Sequence, residues 1–107
     1  MTWPLARGQV VRADVGLDEP KLFVVVSNNR RNRRLSDVLA ARLTTSVKPS
    51  IPSIVDLGPQ DGLSGRVVCD DLLPIYDDEV IGVVGALSPR TMRAVDRGLV
   101  AALGLGE

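Results

Sequence analysis

Histidine is missing from all 107 residues, and this absence excludes more chemistry than any other feature of the sequence. No Ser-His-Asp triad can form, and no imidazole can serve as general base or metal ligand. Cysteine occurs once, at Cys69, so an internal disulfide and a cysteine-rich zinc site are both excluded. A lone unpaired thiol suits a reducing cytoplasm. Trp3, Phe23 and Tyr76 are the only aromatics, too few for the stacking platform usual in single-strand binders. No apolar run approaches the roughly 20 residues of a membrane span. The opening MTWPLARG lacks the apolar core of a secretory signal. Formal net charge is zero, with 13 basic and 13 acidic side chains, so bulk charge alone does not hold this chain to nucleic acid. We read an intracellular, cytoplasmic protein without a membrane segment.

The apolar content is 45%, enough for one small domain spanning 1–107. Charge is polarised along the chain. Residues 1–50 hold nine basic and four acidic side chains, and residues 51–107 hold four and nine. Hydrophobic alternation is mostly short-period. It predicts strands over 8–15 and 21–27, joined by a short turn through GLDEP, most simply as a hairpin. A third strand is predicted over 37–46, where Val38, Thr44 and Thr45 outweigh the helix-like Leu-Ala-Ala-Arg-Leu core. Further strands are expected over 51–56, 66–69 and 80–87. LGPQDGLSG reads as a loop, and 70–79 as a turn with a short strand over 72–76. The last segment has helical spacing. Ser88 is a good N-cap and Pro89 a good first residue. Met92, Val95, Leu99 and Leu103 form one apolar stripe, and Gly104 ends the helix. The expected fold is α+β but mainly β: a small, bent antiparallel sheet or barrel carrying a C-terminal amphipathic helix.

Without histidine, the catalytic inventory is hydroxyls, carboxylates, lysine, arginine, Cys69 and Tyr76. Lys21, Phe23, Val25 and Ser27 share one face of the second strand, and Val38, Ala40, Arg42 and Thr44 one face of the third. If the two faces coincide, Lys21, Ser27, Arg42 and Thr44 gather around an anion. The run NNRRNRR between the strands would border the same site. Its charges, Arg30, Arg31, Arg33 and Arg34, are all arginine, whose fork grips phosphate as lysine cannot. No carboxylate joins this set, so no metal site is expected. The same residues are equally compatible with solvated strand and loop positions, and pattern alone leaves both readings open. Cys69 reads as a small buried apolar residue, and Phe23 as core.

Five fragments in order resemble the MazF/PemK toxins of bacterial toxin–antitoxin modules, from about Arg7 to Leu105. RGQVVRADVG is similar to the family's opening strand, with Gln9 in place of an acid. KLFVVVSNNRRNR resembles its second strand and loop, with Ser27, Asn28 and Asn32 in place. VLAARLTT resembles its third strand, where Thr44 takes the threonine position. GLSGRVVCDDL and GALSPRTMRAVDRGLVAALGL resemble the two closing fragments.

The resemblance implies an SH3-like or CcdB-like barrel, assembled as a homodimer. It implies an endoribonuclease, without metal or cofactor, that cleaves single-stranded RNA at short sequences. The RNA's 2′-hydroxyl attacks the adjacent phosphate, giving 2′,3′-cyclic phosphate and 5′-hydroxyl ends. A cognate antitoxin covers the RNA groove. By matching position, Lys21 and Thr44 are the catalytic pair. Lys21 stands where the family carries arginine, with Leu22 in place of the following proline. Ser27, Asn28, Arg30, Arg31, Arg33, Arg34 and Arg42 are expected to contact RNA. The turn between strands one and two is shorter than in most members, and it brings Glu19 near Lys21. Two alternatives stand beside this one: a catalytically weak member acting through antitoxin binding and operon regulation, and a CcdB-like inhibitor of gyrase.

Overall fold

The computed structural model describes residues 3–106; Met1, Thr2 and Glu107, the ends of the span read as one domain, lie outside the described residues. The elements in chain order are β1 (Gln9–Ala13), β2 (Lys21–Val25), a one-turn helix α1 (Asn29–Asn32), β3 (Asp37–Thr44), β4 (Ile54–Asp56), β5 (Arg66–Tyr76), β6 (Val80–Ala86) and α2 (Pro89–Leu103). Single 3₁₀ turns occupy Pro59–Asp61 and Asp77–Glu79. Every strand pairing is antiparallel, in the order β4-β5-β3-β2-β1-β6. The sheet is not closed, so the expected barrel is more accurately an open six-stranded sheet.

Both faces of the sheet are packed. Val10, Val24, Ala41, Leu43, Val67 and Cys69 face α2, where Met92 and Val95 complete one core. Val11, Ala13, Phe23, Val25, Val38, Ala40 and Ile75 face the other way and form a second core with Leu5. Phe23 is therefore core, as expected, and so is Cys69. Burial, with a smaller contribution from Asp70, pushes the Cys69 thiol up to about 11, which keeps it protonated and inert at neutral pH.

The hairpin β1–β2 and the strand β3 follow the hydrophobic alternation, each ending one or more residues inside the predicted limits. Two expectations change. Residues 66–69 and 72–76 are not separate strands but one, β5. Ala41 pairs with Leu72 while its neighbour Arg42 pairs with Val68, so Cys69, Asp70 and Asp71 bulge from the ladder, and that interruption reads as a turn in sequence. Pro74 is tolerated because β4 pairs only with Arg66, Val67 and Val68, leaving the outer edge of β5 open at the proline. The second change concerns α2. Its buried positions are Thr91, Met92, Val95 and Gly98, and Leu103 is 56% exposed. The helix docks through Gly98, where a β-carbon would lie 2.7 Å from Cys69 Sγ and 3.0 Å from Val55 Cγ2. That close approach turns the buried stripe away from Leu103.

Ser88 caps α2 by accepting from Thr91 N–H at 3.2 Å. A second clasp was not apparent from sequence. The buried Asp61 carboxylate accepts from Ser88 N–H (2.7 Å), Thr91 Oγ1 (2.7 Å) and Gly58 N–H (2.6 Å). Burial pushes this carboxyl up, but the bonds from Ser88, Thr91 and Gly58 together outweigh it and hold the group below its ordinary range.

A depressed folded-state value means that this stabilisation is present above the unfolded carboxyl value of about 3.9 and is lost as pH falls through the folded value. Chemical denaturation of Asp61→Asn at neutral pH is expected to show a loss of about 2 kcal/mol, because buried N–H donors lose their acceptor. Between neutral and acid pH the variant's stability should also fall less steeply than that of the parent chain.

Candidate active site

The floor of the candidate site is the β2–β3 ladder. Leu22 pairs with Leu43 and Phe23 with Arg42, and one further step of that register sets Lys21 opposite Thr44. Opposed residues of antiparallel strands project from the same face, with β-carbons about 5 Å apart. Lys21, Arg42 and Thr44 thus share the face of Phe23, whose buried ring closes one end of the row. At the other end the three polar side chains line an open cleft of about 290 Å³ with Thr45, Ser46 and Ser64. The faces of the two strands coincide, and the structure brings these three residues together.

Each member is held differently. Lys21 Nζ lies 3.0 Å from Glu19 Oε1 and 3.9 Å from Asp18 Oδ1, both on the short β1–β2 turn. Glu19 was not placed in the site from sequence. Its signal was an acid two residues before the cation in a turn too short to carry it elsewhere. Thr44 Oγ1 accepts from Ser46 N–H at 3.1 Å, which leaves its own hydroxyl hydrogen to donate. Gly65 fixes the position of Thr44. Its φ is +118°, and a β-carbon there would collide with the Thr44 carbonyl, so only glycine lets β5 begin so close to the end of β3. Arg66 extends the brace, donating to Thr45 O at 3.2 Å and to Asp56 Oδ1 at 3.2 Å. Arg42 has neither kind of support: its Nε is buried with no hydrogen-bond partner among the described residues.

Ser27 corrects the expectation. It lies six residues along from Lys21, about 20 Å at strand rise, and is buried. Its hydroxyl donates to Asn32 Oδ1 at 2.6 Å and accepts from Leu39 N–H at 3.0 Å. Asn32, fully buried, donates back to Ser27 O at 3.0 Å. The serine is spent on anchoring the loop and does not reach the cleft.

The arginine run accordingly sits at the opposite end of the hairpin and does not border the cleft. It is an organised turn, since Asn28 caps α1 through Arg31 N–H (2.8 Å) and Asn29 accepts from Arg7 N–H (2.6 Å). Arg31 is occupied by Asp37, at 2.9 Å to the carboxylate and 3.1 Å to the carbonyl. Arg30, Arg33 and Arg34 are exposed and form no ion pair among the described residues. Asn28, Arg30, Arg31 and Arg34 line a shallow groove of their own. A further groove beside α2 is lined by Gln60, Arg90 and Arg97, but the hydroxyl there, Thr91, is already given to Asp61. The cleft at Lys21 is where a cation and a free hydroxyl hydrogen face one space.

Comparison with known proteins agrees in both sequence and shape. Residues 6–103 match a family described as "PemK-like, MazF-like toxin of type II toxin-antitoxin system". "Endoribonuclease MazF1" of Mycobacterium bovis and "Endoribonuclease MazF4" of Mycobacterium tuberculosis are each 44% identical over 105 residues, covering 98% of this chain and 97% of theirs. A solved endoribonuclease in complex with its cognate antitoxin, from a mycobacterial species, is 42% identical with a TM-score of 0.90, over 96% of this chain and 98% of that one. Among the described residues no helix is long and apolar enough to cross a membrane.

Replacing Gly65 by alanine tests the brace on Thr44. Denaturant titration is expected to show a loss of about 1–3 kcal/mol from the forced displacement, and amide exchange should rise at Thr44, Thr45 and Ser46.

Proposed function

This chain belongs to the PemK-like, MazF-like toxins of type II toxin–antitoxin systems, and on that footing we propose that it is an endoribonuclease that cleaves single-stranded RNA at short sequences without a metal ion. The observation that carries the reading is that Lys21 and Thr44, one step beyond the Leu22–Leu43 pair, line one open cleft in a chain with no imidazole. The relatives of 44% identity, both endoribonucleases by name, support an enzyme over a binding-only member or a gyrase inhibitor.

The substrate supplies the nucleophile. The 2′-oxygen forms a bond to the adjacent phosphorus, the bond from phosphorus to the 5′-oxygen breaks, and the ends are a 2′,3′-cyclic phosphate and a 5′-hydroxyl. Glu19 accepts the 2′-hydroxyl proton, and Lys21 donates a hydrogen bond to the departing 5′-oxygen, meeting the charge that builds there. That oxygen then takes a proton from water and Glu19 gives its own to water, so both groups end as they began. Thr44 donates its hydroxyl hydrogen to a non-bridging phosphate oxygen as charge builds there. Arg30, Arg33 and Arg34 hold phosphates away from the cut, with Asn28 beside them, and Arg31 with Asp37 keeps their turn in shape. The protein acts as a homodimer in the cytoplasm, and its cognate antitoxin occupies the RNA-binding surface.

Mixed single-stranded RNA in excess chelator should be cut by the purified protein, leaving cyclic-phosphate ends. Lys21→Ala and Thr44→Ala are each expected to lower kcat by about 100-fold or more, while Lys21→Arg retains at least the parent rate. Undiminished cutting by both alanine variants would remove the assignment. Arg30→Ala with Arg34→Ala should weaken RNA binding and make its logarithmic salt dependence shallower by about 0.7 for each phosphate that is no longer neutralised.

A further inference from the structure

We propose that Arg42 is a catalytic residue that clamps the two non-bridging oxygens of the scissile phosphate, and that it supplies in this chain the forked cation which Lys21 cannot. The inference rests on the endoribonuclease reading and divides the labour within that cleft.

Two cations face the same space, and their surroundings differ. Lys21 has a carboxylate at 3.0 Å and a second at 3.9 Å, so its charge is largely met from within the protein. No carboxylate lies within ion-pair distance of Arg42 among the described residues. Its Nε is buried and unpaired, and a buried donor left unsatisfied is destabilising, more so when charged. Nε itself is closed to solvent, so an acceptor entering the cleft meets the two terminal nitrogens, which hold no partner among the described residues.

Position and chemistry agree. Arg42 is on β3, flanked by β2 through Phe23 and by β5 through Val68. Both neighbours are apolar, so the stem is clamped while the head group lines the cleft with Lys21 and Thr44. A guanidinium presents two parallel N–H donors to two oxygens of one phosphate, whereas an ammonium acts as a point charge. The pentavalent intermediate carries more negative charge on those oxygens than the diester does, so a fork held rigidly beside them favours the intermediate. Thr44, two residues along the same strand face, then contributes a third donor.

The experiment uses the full chain and a short RNA carrying a cleavage site first mapped with the parent protein. If the parent cuts no RNA in chelator, the endoribonuclease reading fails, and this inference with it. If the parent cuts, Arg42→Lys and Arg42→Ala are measured at saturating RNA. The expected result is a fall in kcat of about 100-fold or more in both variants with KM changed less than threefold. Added guanidinium ion, at tens of millimolar, should restore Arg42→Ala at least tenfold and leave Lys21→Ala and Thr44→Ala unrestored. A raised KM with unchanged kcat would make Arg42 a binding residue only, and a fall in kcat without guanidinium rescue would make it a structural residue; either overturns the proposal. Should Arg42→Ala not fold, Arg42→Lys together with Lys21→Arg decides. Moving the fork to position 21 should recover at least tenfold of the rate missing in Arg42→Lys alone, and no recovery overturns the assignment.

Discussion

The register between β2 and β3 is the constraint on which the rest depends. Pairing Leu22 with Leu43 puts Lys21 across from Thr44 and places Arg42 in the same row. A slip of one residue would send Thr44 and Arg42 to the face that packs α2, while Lys21 stayed behind. What prevents the slip is burial on both sides. Val24, Ala41 and Leu43 belong to the core beneath the helix, and Phe23, Val25 and Ala40 to the core opposite. No single-residue shift leaves either set buried. The row of Lys21, Arg42 and Thr44 is thus specified by the apolar residues between its members.

The two ends of this hairpin are built for different tasks. At the cleft the polar groups converge on open space, and the braces on Thr44 come from backbone and from Gly65 and Arg66. At the arginine end the polar groups converge inward. Ser27 and Asn32 are buried against each other, and Arg31 is held by Asp37. That inward network keeps a charged turn in one conformation and leaves Arg30, Arg33 and Arg34 outside it. On the proposed reading, one end would orient the reacting phosphate of a polymeric anion and the other would add grip at a distance, roughly the length of the strand.

Much of this was legible in the sequence, and the exceptions have physical causes. Alternation located β1, β2 and β3, and the capping signals of Ser88, Pro89 and Gly104 bounded α2 because those signals are local. The strand faces predicted Lys21, Arg42 and Thr44 together because side-chain direction in a strand depends only on parity. Ser27 obeys the same parity yet lies too far along the strand, and nothing in its own neighbourhood announces that Asn32 will claim it. Leu103 fits the helical stripe, but the docking angle is set by the missing side chain of Gly98 against Cys69, an approach between residues distant in sequence. Glu19 belongs to the cleft through a turn whose path depends on the hairpin being closed. Residues 66–76 looked broken because a bulge and a proline both mimic a chain reversal.

That bulge has a consequence for how the molecule holds together. Before it, the odd-numbered Val67 and Cys69 point into the core beneath α2; after it, the odd-numbered Leu73 and Ile75 point into the opposite one. Three extra residues reverse the parity, and β5, like β1, β2 and β3, is stitched into both hydrophobic layers. Neither layer can melt without dragging this shared thread out of the other, which ties the two into one cooperative unit.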